Sequence, residues 1–126
     1  MGHKSYIKVF TLMVILCMTA GLLWSQTVTD PEKEYARIRT LAFEGKYDEA
    51  EPAARLLVKQ FPEYGDARIL LGRIIAWEGR YDEAAAVIDT LLASEPENSD
   101  ALSALADIRR WSRDRSQQVT APTDIR

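Results

Sequence analysis

Residues 42–50 read Ala-Phe-Glu-Gly-Lys-Tyr-Asp-Glu-Ala, and residues 76–84 read Ala-Trp-Glu-Gly-Arg-Tyr-Asp-Glu-Ala. The second copy follows the first at a fixed offset, the one that carries Gly45 to Gly79. Seven of nine positions are identical, and the other two exchange aromatic for aromatic and Lys for Arg. A constant step of this length marks a chain built by stacking one supersecondary unit on the next. Each copy reads as the joint of a helical hairpin. Gly45 and Gly79 end one helix, where a residue with positive φ is wanted. Asp48-Glu49 and Asp82-Glu83 then open the following helix, where carboxylates suit the positive end of the helix dipole. Tyr47 and Tyr81 are placed to pack beneath the joint, and the small Ala50 and Ala84 allow close helix approach.

The register holds on both sides of the joint. Leu57 matches Leu91, Val58 matches Leu92, and Pro62 matches Pro96 as the stop of each second helix. Asp66-Ala67 recurs as Asp100-Ala101, Leu71 as Leu105, and Phe43, Trp77 and Trp111 form an aromatic ladder at the same step. The spacing predicts five helices. The first opens at Asp30-Pro31 and carries Tyr35, Ile38, Leu41 and Ala42 to Glu44. The second runs from about Asp48 to Gln60, with a late start or slight bend at Pro52. The third, about Gly65 to Glu78, is apolar on several sides and therefore central. The fourth runs from about Asp82 to Ser94 and the fifth from about Ser99 to Trp111. Residues 112–126 are polar, contain Pro122, show no periodicity and read as a disordered tail.

These residues resemble the tetratricopeptide repeat. Leu71-Gly72, Gly79, Tyr81, Ala84, Leu91 and Pro96 carry its pattern, and Gly45, Tyr47, Ala50, Leu57 and Pro62 follow it more loosely. The resemblance implies an all-α, tetratricopeptide-like α-solenoid of two helical hairpins plus a fifth helix, occupying residues 26–111. A narrower likeness is to the periplasmic repeat region of YaiO-type outer-membrane β-barrel proteins. It is carried by Asp66–Arg73, Trp77–Ala84, Asp100–Asp107 and Trp111-Ser112. It implies, as an alternative, a shortened repeat region of such a protein, with an association to the outer membrane.

Residues 1–25 have the layout of a secretory signal. Lys4 and Lys8 make a basic start, Val9 to Leu23 is mostly apolar, and small residues follow at Ala20, Gly21 and Ser25. Cleavage is expected after Ser25, or else after Gly21, giving a periplasmic or secreted protein. An uncleaved anchor is the alternative, although the run is short for a spanning helix. Cys17 follows the bulky Leu16 and does not suit a lipoprotein site.

Composition narrows the function. The net charge is −3, and loss of Lys4 and Lys8 makes it more negative, so nucleic acid is a poor partner. The one His and the one Cys both precede residue 25. Cleavage therefore removes the commonest general base, the thiolate nucleophile and most zinc sites. The acids Asp48, Glu49, Glu51, Asp82 and Glu83 are accounted for by helix starts. The glycines stand singly at helix joints and make no phosphate loop. No catalytic residue, metal or cofactor is expected.

A protein or an extended peptide is the expected partner. As in the family it resembles, the first helix of each hairpin should line a concave groove. The repeating positions there are Tyr35, Arg39 and Phe43, then Ile69, Arg73 and Trp77, then Ser103, Asp107 and Trp111. Arg39 and Arg73, one repeat apart, suit the carboxylates of an extended peptide. The plainer reading is a solvated face with internal partners such as Asp66 or Asp107, and packing between units for the aromatics. Asn98 is the one Asn and falls in a turn, so capture of a C-terminal carboxylate by groove Asn and Lys is not implied. Leu102 and Ala106 lie off the Ala101/Leu105/Ile108 face, so the last helix is expected to be covered by a self-copy or another protein.

Overall fold

The computed structural model describes residues 6–13, 28 and 30–120. A short helix, α1, covers residues 6–13, and each of its residues is exposed. Five helices follow: α2 (Pro31–Phe43), α3 (Tyr47–Gln60), α4 (Gly65–Trp77), α5 (Tyr81–Ser94) and α6 (Ser99–Thr120). No strand occurs among the described residues. Each helix of the set from α2 to α6 packs on its sequence neighbour, and α4 also touches α2 and α6. This is the stacking of two hairpins and a further helix that the period predicts.

The two joints are built alike. Gly45 has φ 77° and Gly79 has φ 85°, and no other described residue has positive φ. The Gly45 N–H donates to the Ala42 carbonyl at 3.1 Å and the Lys46 N–H to the Leu41 carbonyl at 2.9 Å. At the second joint Gly79 donates to Ala76 at 2.9 Å and Arg80 to Ile75 at 3.2 Å. This pair of bonds is the Schellman closure, which satisfies the last carbonyls of the helix. An L-residue in that conformation costs about 1–2 kcal/mol, which is why glycine stands there. Lys46 and Arg80 also start the next helix, each accepting from the N–H four residues on. The second helices end alike as well. Phe61 (φ −128°, ψ 71°) and Glu95 (φ −129°, ψ 71°) leave the helical region just before Pro62 and Pro96, where the proline ring disfavours it.

Asp30 caps α2, its carboxylate accepting from the N–H groups of Glu32 and Lys33. Ahead of it the Val28 N–H donates to Gln60 Oε1 at 2.9 Å, which ties the lead to the end of α3. Of the late start or slight bend expected at Pro52, the late start does not occur. The Lys46 carbonyl closes the first turn of α3 with Ala50 at 2.9 Å, so the helix is already formed when the proline arrives. Pro52 leaves only the carbonyl of exposed Asp48 without its helical donor.

The larger correction concerns the last helix. The spacing ends it at Trp111, with disorder beyond, yet α6 continues to Thr120. The step that carries Gly45 to Gly79 leads next to Arg113, so the third unit lacks the residue that turned the first two. Arg and Gln are good helix formers, and the overrun continues through Arg115 and Gln117-Gln118. Arg115 lies over the Tyr81 ring at 5.9 Å, beside the joint at Gly79. Residues 121–126, and the expected cleavage positions at Gly21 and Ser25, lie outside the described residues.

The core is one cluster through all five helices. Ile38, Leu57, Ile74, Ile75, Ile88 and Ile108 are its largest fully buried side chains. Every residue from Ile69 to Ala76 except Arg73 is buried, so α4 is the central helix its composition predicts. At its crossing with α5, a Cβ on Gly72 would lie 2.7 Å from Ile88 Cδ1 and 3.4 Å from the Ala84 carbonyl oxygen. The equivalent positions in the first hairpin are Ile38 and Ala54, exposed by only 0% and 1%. The bulk has changed sides of the joint while the close packing is kept.

Candidate functional site

The first helices α2, α4 and α6 present a common face. A depression of about 270 Å³ crosses it, lined by Tyr35 of α2, Asp66, Ile69 and Arg73 of α4, and Asp100 and Ser103 of α6. The repeat step thus brings Tyr35, Ile69 and Ser103 to one wall. Ile69 is 8% exposed and forms its floor. Tyr35 is further fixed by the ring of Tyr64, at 5.7 Å between centroids.

The two arginines differ. Arg73 Nη1 lies 3.7 Å from Asp107 Oδ2 across α4 and α6, and Arg110 reaches the other oxygen of that carboxylate at 3.2 Å. Arg73 and Asp107 are therefore partners, as the plainer reading of the face has it. Arg39 is exposed and, among the described residues, makes no ion pair. Side chains of this type on a helix face hold planar acceptors such as carboxylates well.

The aromatic ladder packs between units at its first step. Trp77 is half-buried, with its ring 5.9 Å from Phe43 and 6.2 Å from Tyr47 of the preceding hairpin. Phe43 remains 74% exposed on its other side. Trp111 is half-buried against the core, one step further on. Tyr47 and Tyr81 are both half-buried under their joints, although Tyr81 meets Arg115 and not a tryptophan ring.

On the opposite side, α3 and α5 are joined by charges that sequence reading assigned only to helix starts. Arg55 donates to Glu51 at 2.7 Å and to Glu83 at 2.6 Å. Arg80 bonds Glu51, Glu78 and, at 3.0 Å, Glu83. Burial pushes the Glu51 carboxyl up, but hydrogen bonds from Arg80 and Arg55 outweigh it and hold the group below the ordinary carboxylate range. Asp48, Glu49, Asp82 and Glu83 do occupy first turns, but no side chain caps α3 or α5. The available signal was the spacing: Glu51–Arg55 is an i, i+4 pair and Arg80–Glu83 an i, i+3 pair. Exposed pairs of this kind contribute about 0–1 kcal/mol each and more as a network, so the cluster reads as a brace between hairpins. Among the described residues no three acidic, His or Cys side chains converge as a metal site requires.

Paired helices, a glycine joint and a constant step are the architecture of one family, and its model, the tetratricopeptide repeat, matches residues 41–108. The chain is a tetratricopeptide repeat protein. No curated protein and no solved structure matches it. Tetratricopeptide repeats generally mediate contact between proteins. In this one, Gly45, Gly72, Gly79, Ala50 and Ala84 serve the close packing and turns of the repeat, and Pro62 and Pro96 its helix ends. Among the described residues no helix is long and apolar enough to cross a membrane.

Proposed function

We propose that this tetratricopeptide repeat protein is an exported, non-catalytic module that holds an extended segment of a partner protein along α2, α4 and α6. The observation that carries this reading is the depression to which all three first helices contribute. Arg39 stands one turn along α2 from Tyr35, with no ion pair among the described residues. Arg73 is held by one salt bridge at 3.7 Å, long enough to exchange Asp107 for a carboxylate of the partner. Export rests on Lys4, Lys8, the apolar run Val9–Leu23 and the small residues Ala20, Gly21 and Ser25. The mechanism is reversible contact, with no bond made or broken.

Crosslinking in the native envelope followed by mass spectrometry identifies the partner. The double substitution Arg39→Ala, Arg73→Ala should then weaken its binding by about tenfold or more, since a hydrogen bond to a charged group contributes about 1.5–3 kcal/mol. Unchanged capture by the folded double variant would remove the groove from the account.

A further inference from the structure

The helix α4 is covered on both sides, whereas α6 is covered on one. Ala101, Ala104, Leu105 and Ile108 of α6 are buried against the stack. The stripe Leu102, Ala106, Arg109, Arg113, at steps of four, three and four, is exposed, with Leu102 at 47%. One repeat step earlier the same positions hold Arg68, Gly72, Ile75 and Gly79, and Gly72 is where α5 crosses. In the third unit Arg113 has replaced the turning glycine, α6 runs straight on, and no described helix returns over this face. Beside the stripe, α5 and α6 enclose a depression of about 300 Å³ lined in part by Asp82, Ala85, Ile108, Arg109 and Arg113. Neither Arg109 nor Arg113 forms an ion pair among the described residues.

We propose that this face is covered by the same face of a second copy of the chain, with the two α6 helices antiparallel and crossing at Ala106. The stripe is complementary to itself in that arrangement. Ala106 meets its symmetry mate at the two-fold axis, where a small side chain permits close approach. Leu102 lies four residues before the axis and Arg109 three after it, so each leucine packs on the aliphatic stem of the partner copy's arginine. Ser99 and Arg113 lie seven residues either side of Ala106, about 10 Å along the helix axis. Each Arg113 therefore arrives at the start of the other α6, where the exposed Glu97 leads into the helix. Glu95 is turned back toward Gly65 of α4 and accepts the Asn98 amide, whereas Glu97 has no ion pair among the described residues. A basic helix end and an acidic lead-in on either side of a small residue is a pattern that two-fold pairing satisfies twice.

A seam of one helix pair is at the small end of stable interfaces, so the dimer is weak, with a dissociation constant on the order of 10 μM. Sedimentation equilibrium of the protein as the cell processes it, at about 200 μM, should show a dimer. Ala106→Arg should leave a folded monomer by circular dichroism. Arg113→Glu should weaken the dimer by about a hundredfold, because two pairs become repulsive at once, and adding Glu97→Lys should restore most of it. Ala106→Cys in a Cys17→Ser chain should form a disulfide-linked dimer on mild oxidation faster than a control cysteine at exposed Thr90, since a close two-fold crossing holds the two thiols in range. A monomer at 200 μM, or a dimer indifferent to both Ala106→Arg and Arg113→Glu, overturns the proposal. Neither result bears on the groove formed by α2, α4 and α6.

Discussion

Replacing Gly72 with Ile should sharply destabilise the fold, and adding Ile88→Ala should recover much of the loss. The first carbon of any side chain at 72 would stand 2.7 Å from Ile88 Cδ1 and 3.0 Å from Ile88 Cγ1. Ile88 is fully buried, and in a close-packed core its rotation would displace other side chains. The larger branches of isoleucine would then meet α5 itself, whose Ala84 carbonyl is already 3.4 Å from that first carbon. Overpacking of this sort costs about 1–3 kcal/mol, and the rigid neighbour places it at or above the upper end. Ile88→Ala alone leaves a cavity and costs about 2–5 kcal/mol. Together they reproduce the residue sizes of the first hairpin, where the equivalent positions hold the buried Ile38 and Ala54. A thermodynamic cycle from urea unfolding should give a coupling of at least about 1–3 kcal/mol in favour of the pair. Simple additivity would show that the two joints are not equivalent.

Ile74→Ala should cost about 2–5 kcal/mol. Ile74 is 0% exposed on the helix that touches all four others of the stack. With neighbours on every side the site cannot collapse, so the cavity remains and its cost adds to the lost transfer free energy. Domains of this size are stable by about 5–15 kcal/mol, so the loss is a large part of the whole. The midpoint of thermal unfolding should fall by roughly 10 °C or more. A shift within experimental error would mean that α4 is not the centre of the packing.

Much of this structure was legible because the repeat states it twice. Gly45 and Gly79 mark the joints since nothing else tolerates their backbone, and Pro62 and Pro96 mark the ends of α3 and α5. The apolar residues of α4 mark it as the central helix. The missed features depend on pairs of residues far apart in sequence. Gly72 with Ile88 and Ile38 with Ala54 look like poor repeats position by position, and only the crossing shows that they are one solution with its sizes exchanged. For Arg73 the plainer reading was an internal partner, Asp66 or Asp107, and the approach of α6 brings Asp107 to 3.7 Å. The end of α6 was misjudged because its overrun has no apolar period, being exposed along nearly its whole length. The absence of glycine at 113 was the signal that it would not turn. Of the groove candidates, Phe43 and Trp77 touch each other between units, as the plainer reading has it, and Tyr35, Ile69 and Arg73 share a depression with Asp66, Asp100 and Ser103.

The central claim is that successive hairpins stack at a constant step through one continuous seam, and Trp77 reports on it most directly. Its ring is set 5.9 Å from Phe43 and 6.2 Å from Tyr47, both of the other hairpin, so ring protons come within reach of nuclear Overhauser transfer. Stacked hairpins should give cross-peaks in solution from the Trp77 indole to both rings. Helical hairpins with neither cross-peak would contradict it.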